Sequence, residues 1–499
     1  MPPRPRTRSA ILEVPPFPGV RNAALHVPNP GGHALLVDPE VVISALCAMR
    51  VGGTFWGTQP RLPASGGVVA TGGDEEYSAA KARASQRGLR LVWCGAPRPA
   101  EIWVPADADP WHLLAWADEV VAPVDEPLAV LAAFAGVPVG AAGEEPTLAS
   151  APARAALATQ HLVAGLAYRD PFSGSEISVL EAIKLLGFWR ALIDSNRHIG
   201  AVHGVGRWKR AAVGPLLWGG SEPVPFDLIA PAGTTTALWR ARTDPALINT
   251  IERSGAARLE IEDGFVRSIG LGADCVPPLS IVVGPEQPHY DPSGPSGLER
   301  LLADTDFSPD LLHRAGALRK RIVEAGVSKY GPGPGNWSGG RSDTARRHIL
   351  VTGQVEDDLS VQKGGGGIAS NLDLVRRVRV CAPDAWIIYR PHPDVDAGHR
   401  RGHVDDASML RHADAVERGG SITAWIDLAD EVHVLTSLAG FEALLRGKPV
   451  TTHGVPFYAG WGLTTDLGFV PARRGRQRTL DELVAATLLI YPRYLDPLT

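Results

Sequence analysis

Cysteine is scarce in this chain. Cys47, Cys94, Cys275 and Cys381 are the only four in 499 residues, and no two have a CxxC spacing. That argues against a disulfide framework or a cysteine-built zinc site and fits a reducing compartment. Long apolar runs are also missing: no stretch approaches the ~18–20 residues that a membrane-spanning helix needs. The N-terminal MPPRPRTRSAILEVPP is basic and proline-rich, without the apolar segment of a signal peptide, so a cytoplasmic chain is expected. Nor is there a surplus of one charge. Lys plus Arg number 49 against 54 Asp plus Glu, a net charge of −5, so nucleic-acid binding through bulk charge is not expected.

What is present is enough apolar material for a sizeable core, 44% of residues, in a chain long enough for about three domains. Short apolar strands alternate with Ala-rich helical stretches, the α/β signature. The divisions expected are a truncated α/β module over 1–165, a Rossmann-like domain over 166–329, a Gly/Pro/Ser-rich linker over 330–347 and a second Rossmann-like domain over 348–499. The strands of the last are HILVTG, AWIIYRP, EVHVLT and KPVTTHG. In PFSGSEISVLEAIKLLGFWRALIDSNR, 171–197, a long helix is expected with Ser175 as its N-cap. There is also an internal echo. ADEVVAPVDEPLAVLAAFAGVPV, 117–139, parallels ADEVHVLTSLAGFEALLRGKPV, 429–450, with one gap. Either two similar units arose independently or the segment is duplicated.

Four polar clusters carry candidate chemistry. In WIIYRPHPDVDAG, 386–398, a hydrophobic run ends at His392 between Pro391 and Pro393. The prolines restrict the backbone and are expected to exclude helix. A histidine held at a strand end suits donation to the phosphate oxygen of a leaving group. The plainer reading is a loop histidine bonded to backbone. Thr436-Ser437 follow a strand and open a helix, where hydroxyls and free N–H groups bind anions or simply cap. In GQVEDDLSVQKGGGGIASN, 353–371, three acids (Glu356, Asp357, Asp358) precede Lys363 and four glycines that include Gly365 and Gly366. Those glycines permit close backbone approach to a ligand. Ser370 or Asn371 is expected to cap the next helix, and the spacing is not that of a P-loop. Finally, LEIEDGFVRSIG holds Glu262, Asp263 and Gly264. Asp-Gly there is a hairpin signal, and the carboxylate pair suits acid/base work.

An acid-acid-Gly motif in one α/β domain, then His-Pro and Ser/Thr in the next, resembles the GT-B-like glycosyltransferases that use CMP-activated acidic sugars. TGQVEDD, RPHPDV, DEVHVLTSLAGFEALLRGKPV and GVPFYAGWGLT narrow the match. Over roughly 170–495 the chain resembles the KpsC/LipB capsular polysaccharide proteins, retaining β-Kdo glycosyltransferases. The fold implied is α/β and GT-B-like: two Rossmann-like domains facing a cleft, preceded by a truncated α/β domain. Members often carry two tandem modules. This chain looks like one complete module behind a shortened one, in which Val124-Asp125 stand for Thr436-Ser437 and set a negative charge where a phosphate would lie.

The resemblance implies CMP-Kdo as donor, with no metal and no other cofactor, since the candidate acids lack Asp-x-Asp spacing. His392, Pro393, Thr436, Ser437, Gly365 and Gly366 would hold the CMP phosphate. Asp357 or Asp358 would be the nucleophile, with Glu262 or Asp263 as acceptor base. Lys363, Arg390 and Arg267 would pair the sugar carboxylate. Phe457, Tyr458 and Trp461 would stack on base or sugar, or pack as core. The implied acceptor is a Kdo-primed (lyso)phosphatidylglycerol at the inner face of the cytoplasmic membrane. Basic stretches 206–220 and 471–478 would touch anionic lipid or be solvated surface. Other capsule biosynthesis and export proteins are the implied partners. Two alternatives stay open: a non-catalytic assembly or export partner, and a transferase for another CMP-linked nonulosonic acid.

Overall fold

The computed structural model describes residues 11–20, 25–28, 37–99, 102–268, 275–329, 343 and 345–496. Most of the expected linker, 330–342 and 344, lies outside the described residues. The chain divides into two compact units. The first comprises Met1–Ile199, Leu217–Val224 and Asp496–Thr499; the second comprises Gly200–Leu216 and Pro225–Leu495.

The first unit is built on a parallel sheet whose strands lie in the order Ile102–Val104, Arg90–Cys94, Gly67–Ala70, Ala117–Val121, Val139–Gly140. By sequence that is 3-2-1-4-5, the doubly wound order. Gly67–Ala70 is buried at every residue, as a central parallel strand covered on both faces must be. The long helix spans Val179–Asn196 and packs in this unit, beyond the boundary expected at 165. Its cap is Ser178, not Ser175. The Ser178 hydroxyl accepts from Glu181 N–H while the Glu181 carboxylate accepts from Ser178 N–H, a reciprocal box for which Ser175 is too distant.

The second unit holds two sheets. The first runs Pro492–Tyr494, Ser280–Gly284, Arg258–Asp263, Thr235–Leu238, Ile199–His203. Arg258–Asp263 does pair antiparallel with Ser280–Gly284, but residues 264–279 intervene, so Asp263-Gly264 forms no tight hairpin. Gly264 instead lies against the next strand, where a Cβ would come within 2.2 Å of the Ser280 hydroxyl. The strand Pro492–Tyr494, expected in the C-terminal domain, pairs with Ser280–Gly284 in this sheet.

The second sheet is wholly parallel: Ala415–Val416, Trp386–Arg390, His348–Thr352, Glu431–Val434, Val450–Thr452, Thr465–Asp466. In chain order this is 3-2-1-4-5-6. It repeats the order of the first unit with one strand added, and the echoing segments occupy positions 4 and 5 in both. The four expected strands are all present.

One hydrophobic core runs beneath both sheets of this unit, joining Phe265 and Val282 to Val432, Phe441, Phe457 and Trp461. The basic run 471–478 clamps it. Arg474 donates to Glu299 (2.7 Å) and to Pro456 O (2.7 Å), and both its guanidinium and the Glu299 carboxylate are buried. Arg473 also holds Glu299 and reaches Gly294 O; Arg478 holds Glu482 and Thr305 O. These arginines are internal fasteners, not the free basic patch considered for lipid. Phe457, Tyr458 and Trp461 are likewise core, at 7%, 0% and 0% exposure, and offer no open face for stacking. Among the described residues no helix is long and apolar enough to cross a membrane.

Candidate functional site

The parallel register of the last sheet creates the site. Thr352 lies opposite Arg390, and Val351 opposite His433, so the three central strands end at one level. Two residues beyond each end stand Gln354, His392 and Thr436. A parallel sheet gathers such post-strand residues at its C-terminal edge, where α/β folds bind ligands.

His392 N-caps a short helix, Pro393–Asp396, that begins at the proline expected to exclude helix. Proline is suited to the first helical position because its missing N–H would have no partner there. The His392 Nδ1 accepts from Asp394 N–H at 3.2 Å, which puts the ring proton on Nε2. Burial, the main cause, holds the ring pKa below its ordinary 6.5. The result is a neutral imidazole with an Nε2–H donor. Thr436 is fixed by a fork. Its N–H donates to Gln354 Oε1 and its Oγ accepts from Gln354 Nε2, both at 2.9 Å, which leaves the hydroxyl proton to donate elsewhere. Buried Asn371 locks Gln354 in turn, accepting from Gln354 N–H and donating to Gln354 O, both at 2.8 Å. Ser437 caps the helix Leu438–Leu445, as expected, and Ser370 caps the helix Asn371–Cys381.

The glycine run approaches closely for internal reasons. A Cβ on Gly365 would come within 2.5 Å of the Val361 and Ile368 carbonyls, and Gly366 adopts φ +60°. A Cβ on Gly364 would meet the Thr436 methyl at 3.0 Å and lie 3.6 Å from Tyr290 O of the other sheet's loops. The two loop sets therefore meet here.

The three acids of the loop have different employments. Glu356 accepts from Asn371 N–H at 2.7 Å, and exposed Asp357 pairs with Arg400 at 3.2 Å. Asp358 caps the helix Leu359–Gly364 through Ser360 N–H at 2.9 Å, and its charge acts on both His392 and Tyr290. Of the two nucleophile candidates, Asp358 is thus the one brought to the histidine and the facing loops. An Asp-x-Asp spacing does occur beside His392, but Asp396 is engaged by Arg418 at 2.6 Å. Among the described residues no group of three or more His, Cys, Asp or Glu is disposed to hold a metal.

On the other sheet, Glu262 and Asp263 end a strand. Burial, reinforced by the Asp263 charge, raises the Glu262 carboxyl to about 7. That places it where a general base or acid works at neutral pH. Asp263 is held at 3.4 Å by Lys209 and at 3.0 Å by Arg267. Lys329 acts electrostatically on Glu262 and on His392 and so sits between the two halves of the site.

The expected sugar-carboxylate cations divide. Arg267 is buried on Asp263, and Arg390 donates to Gly419 O and Gly420 O, both at 2.6 Å. Lys363, half exposed and 3.8 Å from Asp291, is the one at the meeting of the loops. Sequence reasoning passed over Gln354 and Lys329, weighed Asn371 only as a helix cap, and took Lys209 only as part of a basic stretch. The first had a legible signal, since it stands at the same offset from its strand as His392 and Thr436.

Two Rossmann-like sheets in one unit, with donors gathered at one edge and an acid pair on the other, define a GT-B-like α/β protein. The family model described as "Capsule polysaccharide biosynthesis protein" matches residues 335–494. The capsule polysaccharide modification protein LipA of Neisseria meningitidis is 39% identical over 344 residues, 66% of this chain and 48% of LipA. The lipopolysaccharide-processing protein LpsZ of Rhizobium meliloti is 40% identical over 258 residues, 51% of this chain and 58% of LpsZ. The solved β-Kdo 2,4 transferase of Thermosulfurimonas dismutans KpsC is 31% identical with a TM-score of 0.53, covering 60% of this chain and 94% of that one. This chain belongs to the KpsC-type capsule polysaccharide family. It spans about half the length of the LipA relatives it matches.

Proposed function

We propose that this chain is a retaining β-Kdo glycosyltransferase of capsule polysaccharide biosynthesis. In this reading it moves Kdo from CMP-Kdo to a Kdo-primed (lyso)phosphatidylglycerol terminus. The observation that carries it is the row Gln354, His392, Thr436 at one sheet edge, with Glu262 on the neighbouring sheet. The His392 Nε2–H, the Thr436 hydroxyl and the positive end of the helix Leu438–Leu445 hold the departing CMP phosphate. Pro393 orients the histidine, and Gly365 and Gly366 let the backbone come close. Lys363 pairs the sugar carboxylate.

Retention calls for two displacements. The Asp358 carboxylate bonds to the anomeric carbon as its bond to the phosphate oxygen breaks and CMP leaves. The acceptor hydroxyl then gives its proton to Glu262 and bonds to the same carbon, releasing Asp358. No metal is needed in this scheme. The acceptor puts the protein at the inner face of the cytoplasmic membrane, among other capsule assembly and export proteins.

The test is CMP release from CMP-Kdo with a short synthetic Kdo-lipid, for wild type, His392→Ala, Asp358→Asn and Glu262→Gln. Acceptor-dependent release is expected in the wild type, falling at least ~10²-fold in each variant. No release by the wild type sinks the reading for this donor and acceptor. Turnover of a different CMP-linked nonulosonic acid instead would move the assignment to that donor.

A further inference from the structure

Lys209 is a long basic side chain turned inward. Its Nζ lies 3.7 Å from the centroid of the Trp239 ring and 5.3 Å from that of Trp208. Its ion pair with Asp263 is 3.4 Å long, well beyond the ~2.7–2.9 Å of a strong charge-assisted bond. Asp263 is meanwhile shared: its other oxygen takes Arg267 Nε at 3.0 Å. Arg267 is 2% exposed, and its Nη2 is buried with no hydrogen-bond partner among the described residues. Buried Arg267 and half-buried Lys209 therefore share the Asp263 carboxylate, with the Glu262 charge acting on Lys209 through space. Desolvated charge is costly unless paired, and the indole face supplies only part of the balance. The Lys209 side chain keeps 14% exposure, so a ligand can reach it.

We propose that Lys209, backed by Arg267, is an anion subsite that takes the carboxylate of the acceptor sugar and sets its hydroxyl beside Glu262. The inference rests on the transferase reading of this site and adds the residue that selects an acidic acceptor. The subsite lies on the sheet of the acid pair, away from His392 and Thr436, which assigns it to the acceptor and not to the donor phosphate. Trp208, half-buried beside it, gives a sugar ring a face to lie on.

The probes are the methyl glycoside of Kdo and its carboxylate methyl ester. Their binding to the full chain is measured by calorimetry for wild type, Lys209→Met and Lys209→Arg, with CMP titrated in parallel. The wild type is expected to prefer the acid over the ester at least tenfold. Lys209→Met should bind the two alike, Lys209→Arg should recover part of the preference, and CMP affinity should be the same in all three. The proposal is overturned if the wild type shows no preference, or if Lys209→Met keeps it. It is equally overturned if Lys209→Met loses CMP affinity in step, which would put the lysine on the donor or in the framework. If the wild type prefers the acid through Lys209 yet never turns over CMP-Kdo, the transferase reading falls and the subsite stands.

Discussion

The sheet of the first unit and the last sheet of the second share one blueprint with opposite contents. Both are parallel, both run 3-2-1-4-5, and a Thr-Gly pair stands where each central strand stops, Thr71-Gly72 and Thr352-Gly353. Register then aligns Cys94 with Arg390 and Ala122 with Val434, as the echo in the sequence also does. Two residues further on, the first unit has Gly73, Ala96 and Val124 where the second has Gln354, His392 and Thr436. Not one donor survives. The helix after strand 4 begins at Glu126, which makes no side-chain cap, where the later one begins at Ser437. The same strand order can therefore occur with and without a row of polar side chains at its edge.

The comparison can be broken in four ways. The largest effect should come from emptying the complete half: His392→Ala, the substitution that mimics Ala96, should cut transfer at least ~10²-fold with little change in Tm. Next is Gln354→Ala, which mimics the other small residue in the row and releases Thr436. CMP affinity measured by calorimetry should drop about tenfold.

A third test uses pH, since Glu262 gives the sheet that carries it a response. As a base it must be ionised, so kcat/KM should fall as pH drops through about 7, and Glu262→Gln should remove that limb. The folded state binds this proton more tightly than the unfolded chain does, so stability declines as pH climbs from the ordinary 4.5 toward 7. Glu262→Gln should then raise Tm at pH 8.5 and leave it unchanged at pH 4, as differential scanning calorimetry would show.

The smallest effect is expected from refurnishing the empty half. Gly73→Gln with Ala96→His and Val124→Thr should add no second CMP site, because Asn371 and the glycine turn have no counterparts placed there. A second stoichiometric equivalent of CMP would mean that only side chains separate the two sheets.

Much of this was legible from residue order. The four longest strands of the last sheet lie in runs rich in apolar and β-branched residues, and the Ser437 and Ser370 caps are local matters of hydroxyl and N–H. What escaped depends on partners far along the chain. Asp263-Gly264 has the composition of a tight turn, but the strand's partner lies beyond residue 279. The arginines of 471–478 look like surface charge until Glu299 and the carbonyls near 294 and 456 come to meet them. Lys209 reads as one cation in a basic stretch, and only folding sets it on Trp239. The misplaced cap at Ser175 was a local error, since Glu181 stands three residues after Ser178 in plain sight.

The strand Pro492–Tyr494 has a consequence for how the protein is made. It completes a sheet whose neighbouring strand, Ser280–Gly284, is translated some two hundred residues earlier. Until the later segment leaves the ribosome, Ser280–Gly284 waits as an open edge, with backbone groups that any stray strand can use. The sheet that starts earlier in the chain is therefore closed last, and because both sheets of this unit share a core that includes Leu483, Val484 and Leu488, neither is complete before the final segment emerges.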